Sequence, residues 1–228
     1  MPCPKDVRRA DKTGRARKGS QRQIQSCINL DCEKFTQAVG DALGFPASAR
    51  HAIEWVSPLQ AEQYNEYQDR EFLEVLGLER FAKQLAEFWP GRGPCWDALA
   101  KTGDGCILVE AKSHVSEIYG GGCHAKGNSL KRIKAALDET KKHLGVRADA
   151  VWTGKLYQSA NRYAYLYFLR EKCSVPAFLL NVYFEADPAS PTSREEWTAA
   201  IIEVNSLLGL SSPVPFRASL FYDASSLP

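Results

Sequence analysis

The sequence predicts one α/β domain, in which a mixed β-sheet is flanked by helices on both faces. An apolar strand after the turn at Gly103-Asp104 predicts an antiparallel hairpin over about 95–101 and 105–113. The continuous apolar run Ala177–Phe184 is typical of a strand buried on both faces. Segments with helical periodicity lie before, between and after these strands. Antiparallel and buried strands that alternate with helices predict a mixed sheet covered on both sides.

The other elements follow from apolar spacing and from breaker residues. Besides the hairpin and the buried run, strands are expected at Ile53–Val56 and Phe216–Tyr222. Helices are expected over 59–76, 78–88, 129–144, 155–171 and 193–208. The segment 28–45 fits either a helix or a strand followed by a helix, and its pattern does not separate the two.

The composition is that of a globular protein. Of the 228 residues, 44% are apolar and 11% aromatic, which is ample for a core. No run approaches the roughly 18 apolar residues of a membrane span. The N-terminus is basic but lacks the apolar stretch of a secretory signal. We therefore expect a cytoplasmic protein with no membrane association.

Positive charge is concentrated at the N-terminus. Residues 1–22 carry eight Lys or Arg and two Asp, a net +6, so the remaining residues sum to −4 within the chain's +2. The pattern predicts a flexible basic arm over residues 1–25, followed by a single domain over 26–228. Such an arm can hold phosphate backbones by counterion release, or it can be an ordinary solvated terminus.

The seven cysteines form no C-x-x-C pair. Their odd number and scattered spacing favour reduced thiols over a disulfide framework. A zinc site is an alternative, although the spacing of its candidate ligands matches no known pattern. These ligands are Cys95, Cys106, Cys123 and His124.

The hairpin brings ionisable residues together. Asp97 and Glu110 are equally far from the turn centre, so the register places them opposite each other. Side chains alternate along a strand, so Glu110 and Lys112 share one face. Core packing does not require three such groups on one side of an apolar strand. The alternative is an ion pair at a strand end.

These residue types suit a small divalent cation. Asp97 and Glu110 supply the hard oxygen ligands that Mg²⁺ or Mn²⁺ prefers, and the backbone carbonyl of Ala111 is a third candidate ligand. Lys112 cannot bind the cation. It can orient an attacking water or stabilise charge that develops on a phosphate oxygen.

At this point the residues resemble a known family. Asp97, followed thirteen positions later by Glu110-Ala111-Lys112 on an apolar strand, resembles the PD-(D/E)xK nuclease superfamily, which includes many restriction endonucleases. The resemblance covers about residues 59–185. It implies a restriction-endonuclease-like fold, with a four-stranded mixed sheet flanked by helices, and a metal-dependent nuclease. The superfamily's Pro before the Asp is absent, because Trp96 takes that place and Pro94 lies two residues earlier.

A second E-x-K sequence serves as a control. Glu139-Thr140-Lys141 falls in a predicted helix. Residues two apart on a helix point about 200° from one another, so this copy cannot build the same site.

Three further residues are candidates for the site. The superfamily often recruits an acid from the first core helix, and Glu66 is the first choice here. Gln158 and Arg162 are four apart and share a helix face. By the same resemblance they could reach the active site or a phosphate. The alternatives are a solvated helix face for Glu66 and polar positions on a packing helix for the other two.

The sequence thus predicts a Mg²⁺- or Mn²⁺-dependent nuclease that hydrolyses phosphodiester bonds. DNA is favoured as its substrate, and the choice between DNA and RNA is left open. The alternative from another class is a non-catalytic protein that keeps the fold and binds nucleic acid or a protein partner. A third alternative is a hydrolase of another phosphate ester. Endonuclease or exonuclease action, sequence preference and homodimer formation are left open.

Overall fold

The computed structural model describes Cys3 and residues 10–227 of the chain. In this part, five strands form one mixed sheet, whose spatial order follows the chain. The strands are β1 (Glu54–Ser57), β2 (Ala98–Lys101), β3 (Cys106–Lys112), β4 (Ala177–Glu185) and β5 (Arg217–Asp223). β1, β2 and β3 pair antiparallel, whereas β3, β4 and β5 run parallel. The protein is therefore a mixed α/β protein, as the sequence predicts.

Helices cover both faces of the sheet. They are α1 (Gly19–Leu30), α2 (Cys32–Ala42), α3 (Ala47–Arg50), α4 (Asp69–Leu76), α5 (Ala82–Phe88), α6 (Gly127–His143), α7 (Tyr157–Tyr167) and α8 (Arg194–Leu207). Buried residues of α1 and α2 pack on one face, and those of α4 to α8 pack on the other. None of the helices in the described residues is long and apolar enough to cross a lipid bilayer.

Strand β3 lies in the middle of the sheet and is buried on both faces. Ile107 and Val109 face the α1 side, while Leu108 faces the α7 side. Each fully buried Leu or Val stabilises the fold by about 1.5–3 kcal/mol. Because side chains alternate, Glu110 and Lys112 follow Leu108 onto the α7 side.

The predicted hairpin register is confirmed. Ala98 pairs with Val109 and Lys101 pairs with Cys106, so the next pair outward is Asp97 with Glu110. The helix predicted over 59–76 is shorter than expected. Gln63 and Tyr64 have left-handed backbone angles, with φ of 56° and 57°, which interrupt a helix, and α4 begins only at Asp69.

The predicted arm is corrected at its C-terminal end. Residues 19–25 belong to helix α1, and Gln23, Ile24 and Gln25 are buried. The reason is that Ile24 and Cys27 share an apolar face that packs beneath the sheet. The Gln25 side chain also accepts a hydrogen bond from the Ala16 amide at 2.8 Å. Residues 1–2 and 4–9 of the predicted arm lie outside the described residues.

The expectation of uniformly reduced thiols is also corrected. Cys3 and Cys95 form a disulfide, with their Cα atoms 6.2 Å apart. The other five cysteines are free thiols. The zinc alternative receives no support, because Cys95 is taken by the disulfide and Cys106 is buried in the core.

Helix α8 begins with a capping box. Ser193 Oγ accepts a hydrogen bond from the Glu196 amide at 3.2 Å, and the Glu196 carboxylate accepts one from the Ser193 amide at 2.7 Å. We expect Ser193→Ala to lower the free energy of unfolding by about 1 kcal/mol, because one amide loses its partner. Urea denaturation measures this, with Ser211→Ala in an exposed loop as the control. Equal loss in both variants would contradict the capping role.

Candidate active site

Three ionisable side chains meet where β2 begins and β3 ends. Asp97 immediately precedes β2, and Glu110 and Lys112 are near the end of β3. Glu110 is 6% exposed, and the Lys112 side chain is 13% exposed. The Lys112 ammonium forms an ion pair with Glu110 Oε1. The structure therefore brings together the three residues that the sequence singled out.

Asp97 is anchored to the neighbouring strand. Its Oδ2 accepts a hydrogen bond from the Ala111 amide at 2.7 Å. A strand residue directs its amide and carbonyl to the same edge. The Ala111 carbonyl therefore faces the same edge as Asp97, beyond the point where β2 starts. This is the position that the sequence predicted for a backbone ligand.

The carboxyl of Asp97 lies near two other acids, Glu110 and Glu66. Burial, and then the charges of Glu110 and Glu66, raise the pKa of Asp97 well above its ordinary value. A positive charge nearby would relieve this repulsion. Lys112 opposes the rise but does not cancel it.

Glu110 is held by Arg162, which lies on helix α7. Arg162 Nε donates to Glu110 Oε2 at 2.6 Å, and a second guanidinium nitrogen lies 2.5 Å from the same oxygen. The guanidinium also donates to the Cys95 carbonyl at 2.9 Å and stands 4.9 Å from the centre of the Trp96 ring. Trp96 thus packs on Arg162 by a cation–π contact.

The two cations set the ionisation of this cluster. Although burial opposes it, the pKa of Glu110 is lowered, because Arg162 and Lys112 lie against the carboxylate. Burial also opposes the change at Lys112, yet its pKa is raised by Glu110 and Asp97. Lys112 is therefore protonated at neutral pH, and it can donate a hydrogen bond to a phosphate oxygen but cannot act as a base.

Glu66 lies near this cluster, close to Asp97. It precedes a bridge between Tyr67 and Trp96, which holds it beside the start of β2. Its Oε1 accepts a hydrogen bond from Gln21 on α1 at 2.8 Å. The prediction of a helical Glu66 is wrong, because α4 starts three residues later, at Asp69. Its charge nevertheless acts on Asp97.

The donor atoms fit a small dication. Mg²⁺ needs only one or two protein carboxylates and keeps several waters. Asp97, Glu110 and the Ala111 carbonyl can supply such a set. A carboxylate offers about four acceptor directions. Arg162 donates a hydrogen bond to Glu110 Oε2, whereas Oε1 forms an ion pair with Lys112 and accepts no hydrogen bond within the described residues. Within Cys3 and residues 10–227, no three His, Cys, Asp or Glu side chains form a metal cluster.

The second E-x-K copy is separate from this site, as predicted. It lies in α6, where Glu139 pairs with Lys172. Lys141 instead donates to the Ala148 carbonyl at 3.0 Å. The two side chains have different partners and form no shared site.

Gln158 and Arg162 line the same cleft as Glu110 and Lys112, in agreement with their predicted common helix face. The sequence reasoning missed other polar residues of this cleft, among them Asn181, Asn205 and Arg217. A signal existed for one of them. Asn181 interrupts the apolar run of β4, and it pairs in register with Glu110.

Comparison with known proteins identifies no relative. No family model matches the sequence, and no curated protein and no solved structure matches the chain.

Proposed function

We propose that the protein is a nuclease that hydrolyses phosphodiester bonds, in DNA rather than RNA, with Mg²⁺ or Mn²⁺. One observation carries the proposal. Asp97, which directly precedes β2, lies close to Glu110 and Lys112 of β3, in the sequence order of a PD-(D/E)xK motif. A surface ion pair would not require a nearly buried carboxylate with a second acid beside it.

The strand connections support a restriction-endonuclease-like fold. β1, β2 and β3 form an antiparallel meander, and β4 lies parallel to β3 after the helices α6 and α7. Helix α4 precedes β2 on the face that carries the site. β5 and the N-terminal helices α1 and α2 are additions to the implied four-stranded core.

Each residue has a role in this proposal. Lys112 donates to a phosphate oxygen and stabilises the negative charge that grows there in the transition state. Arg162 keeps Glu110 ionised and holds its orientation. Asp97 fixes the end of β3 through the Ala111 amide. Asp97, Glu110 and the Ala111 carbonyl would hold the cation, which when bound lowers the pKa of water and neutralises phosphate charge.

A second candidate is a binding protein without catalysis. It is favoured by the two protein cations that already neutralise Glu110, since a dication must then share that carboxylate. Such a protein would bind nucleic acid or a protein partner and leave the phosphodiester bond intact.

The deciding experiment uses circular and linear DNA, and a matched RNA, with Mg²⁺ or Mn²⁺. We expect cleavage by the wild type and a loss of about 100-fold or more in Asp97→Asn, the scale for removing one preorganised electrostatic group. Asn keeps an oxygen for the Ala111 amide but removes the charge. Asp104→Asn, in the exposed turn of the same hairpin, is the matched control and should cleave normally.

The same assay separates the alternatives. Equal cleavage by all three proteins would remove Asp97 from the mechanism. Tight binding of DNA without cleavage in the wild type would favour the binding protein. Cleavage of circles would identify an endonuclease.

A further inference from the structure

A polar cleft continues from the candidate active site across the sheet. Helices α7 and α8 form its walls, and β3, β4 and β5 form its floor. The cavity within it has a volume of about 30 Å³. Glu110 and Lys112 stand at one end, and Arg217 stands at the other.

Arg217 carries a positive charge that no carboxylate neutralises in the described part of the chain. Its guanidinium donates to the Tyr163 hydroxyl at 2.6 Å and to Asn205 Oδ1 at 3.3 Å. Neither partner is a carboxylate, and the side chain is half-buried. Charges that are removed from water are normally paired, so a guanidinium without an acidic partner favours an anion.

The surrounding groups add further donors. Within the described residues, the side-chain amides of Gln158 and Asn181 make no hydrogen bond, and both line the same cleft as Arg217. Asn181 lies between Glu110 and Ser219 in the strand register. Among the residues that the structure describes, Glu110 is the acidic side chain that lines this cleft. This lining favours an anion over a cation or an apolar ligand.

We propose that Arg217, Asn181 and Gln158 form a phosphate subsite that holds the nucleic acid beside the bond to be cut. The identity of the substrate rests on the proposed nuclease function. The subsite itself rests on the unpaired guanidinium and the free amides. Arg is suited to it, because its planar group presents several N–H donors to phosphate oxygens.

The subsite does not hold the phosphate that reacts. Arg217 is two strands away from Glu110 and two residues back along the register, which places their Cα atoms about 12 Å apart. The bound group is therefore a neighbouring phosphodiester or a terminal phosphate. Because the cleft is narrow, entry of the phosphate requires side chains that line it to rotate.

Binding of inorganic phosphate tests the subsite without any nuclease assay. Isothermal titration calorimetry of the full chain should show binding to the wild type, weakened about tenfold or more in Arg217→Gln. Arg147→Gln removes the same charge from an exposed position and should bind like the wild type. No binding to the wild type, or equal binding to both variants, would overturn the proposal.

If Arg217→Gln fails to fold, a second variant tests the phosphate subsite. Asn181→Ala removes a side chain that makes no internal hydrogen bond in the described residues, so it should fold. We expect it to weaken phosphate binding severalfold. Unchanged binding in this folded variant would count against the subsite.

Cleavage assays distinguish the two sources of the phosphate. Faster cleavage of 5′- or 3′-phosphorylated oligonucleotides than of hydroxyl-ended ones indicates a terminal phosphate. Slower cleavage with one uncharged methylphosphonate linkage indicates a neighbouring diester. Either preference should disappear in Arg217→Gln, and the absence of both would contradict the proposal. Phosphate binding without any cleavage would instead refute only the nuclease.

Discussion

Replacing Arg162 with methionine is expected to lower the free energy of unfolding by about 3 kcal/mol or more, the loss typical of breaking a buried ion pair. The change leaves Glu110, which is 6% exposed, with Lys112 as its remaining cation. It also removes the hydrogen bond to the Cys95 carbonyl. Urea denaturation followed by tryptophan fluorescence measures the loss.

Two further variants test the physical reason. Arg162→Met combined with Glu110→Gln removes both charges, so it should be more stable than Arg162→Met alone. Arg147→Met, at a surface pair, should change stability by less than about 1 kcal/mol. If the double variant is no more stable than the single one, the buried charge is not the cause.

Replacing Lys112 with methionine should reduce phosphodiester cleavage by about 100-fold to 1,000-fold, the range for removal of one preorganised donor to a developing anion. Methionine keeps most of the aliphatic stem but removes the ammonium. Because the pKa of Lys112 is raised, the wild-type side chain is charged at neutral pH. Cleavage is measured on a labelled oligonucleotide and DNA binding by fluorescence anisotropy.

The control for Lys112→Met is Lys101→Met. It removes the same charge at the C-terminal end of β2, whereas the candidate site lies where β2 begins. It should cleave at nearly the wild-type rate. We expect Lys112→Met to retain DNA affinity within a few fold, because a donor that acts in the transition state contributes little to ground-state binding. Parallel loss of binding and cleavage would assign Lys112 to substrate binding.

Much of the local geometry was readable in the sequence. The equal distances of Asp97 and Glu110 from the turn predict their pairing, and the observed register agrees. The alternation of side chains along β3 predicts that Glu110 and Lys112 share a face of the sheet. The continuous apolar run predicts strand β4. These features depend on residues that are close in sequence. The alternation of side chains along a strand and the position of the turn are therefore sufficient to predict them.

Other features were misread because local composition and tertiary burial disagree. The charge of residues 1–22 predicted a flexible arm over residues 1–25. Three residues of that segment, Gln23, Ile24 and Gln25, are instead buried in α1. The scattered cysteines suggested free thiols, yet Cys3 lies beside Cys95 across 92 positions of sequence. Charge density and cysteine spacing do not report which surfaces meet after folding.

By itself, the sequence determined which ionisable residues meet at the hairpin and that they lie in a mixed sheet. Only the tertiary structure decided that Arg162 holds Glu110 from 52 positions away. It also decided that Arg217 lines the same cleft with no acidic partner in the part of the chain that is described. The physical reason is distance along the chain. Strand register propagates from one turn, whereas contacts between helices and the sheet depend on how every buried side chain packs.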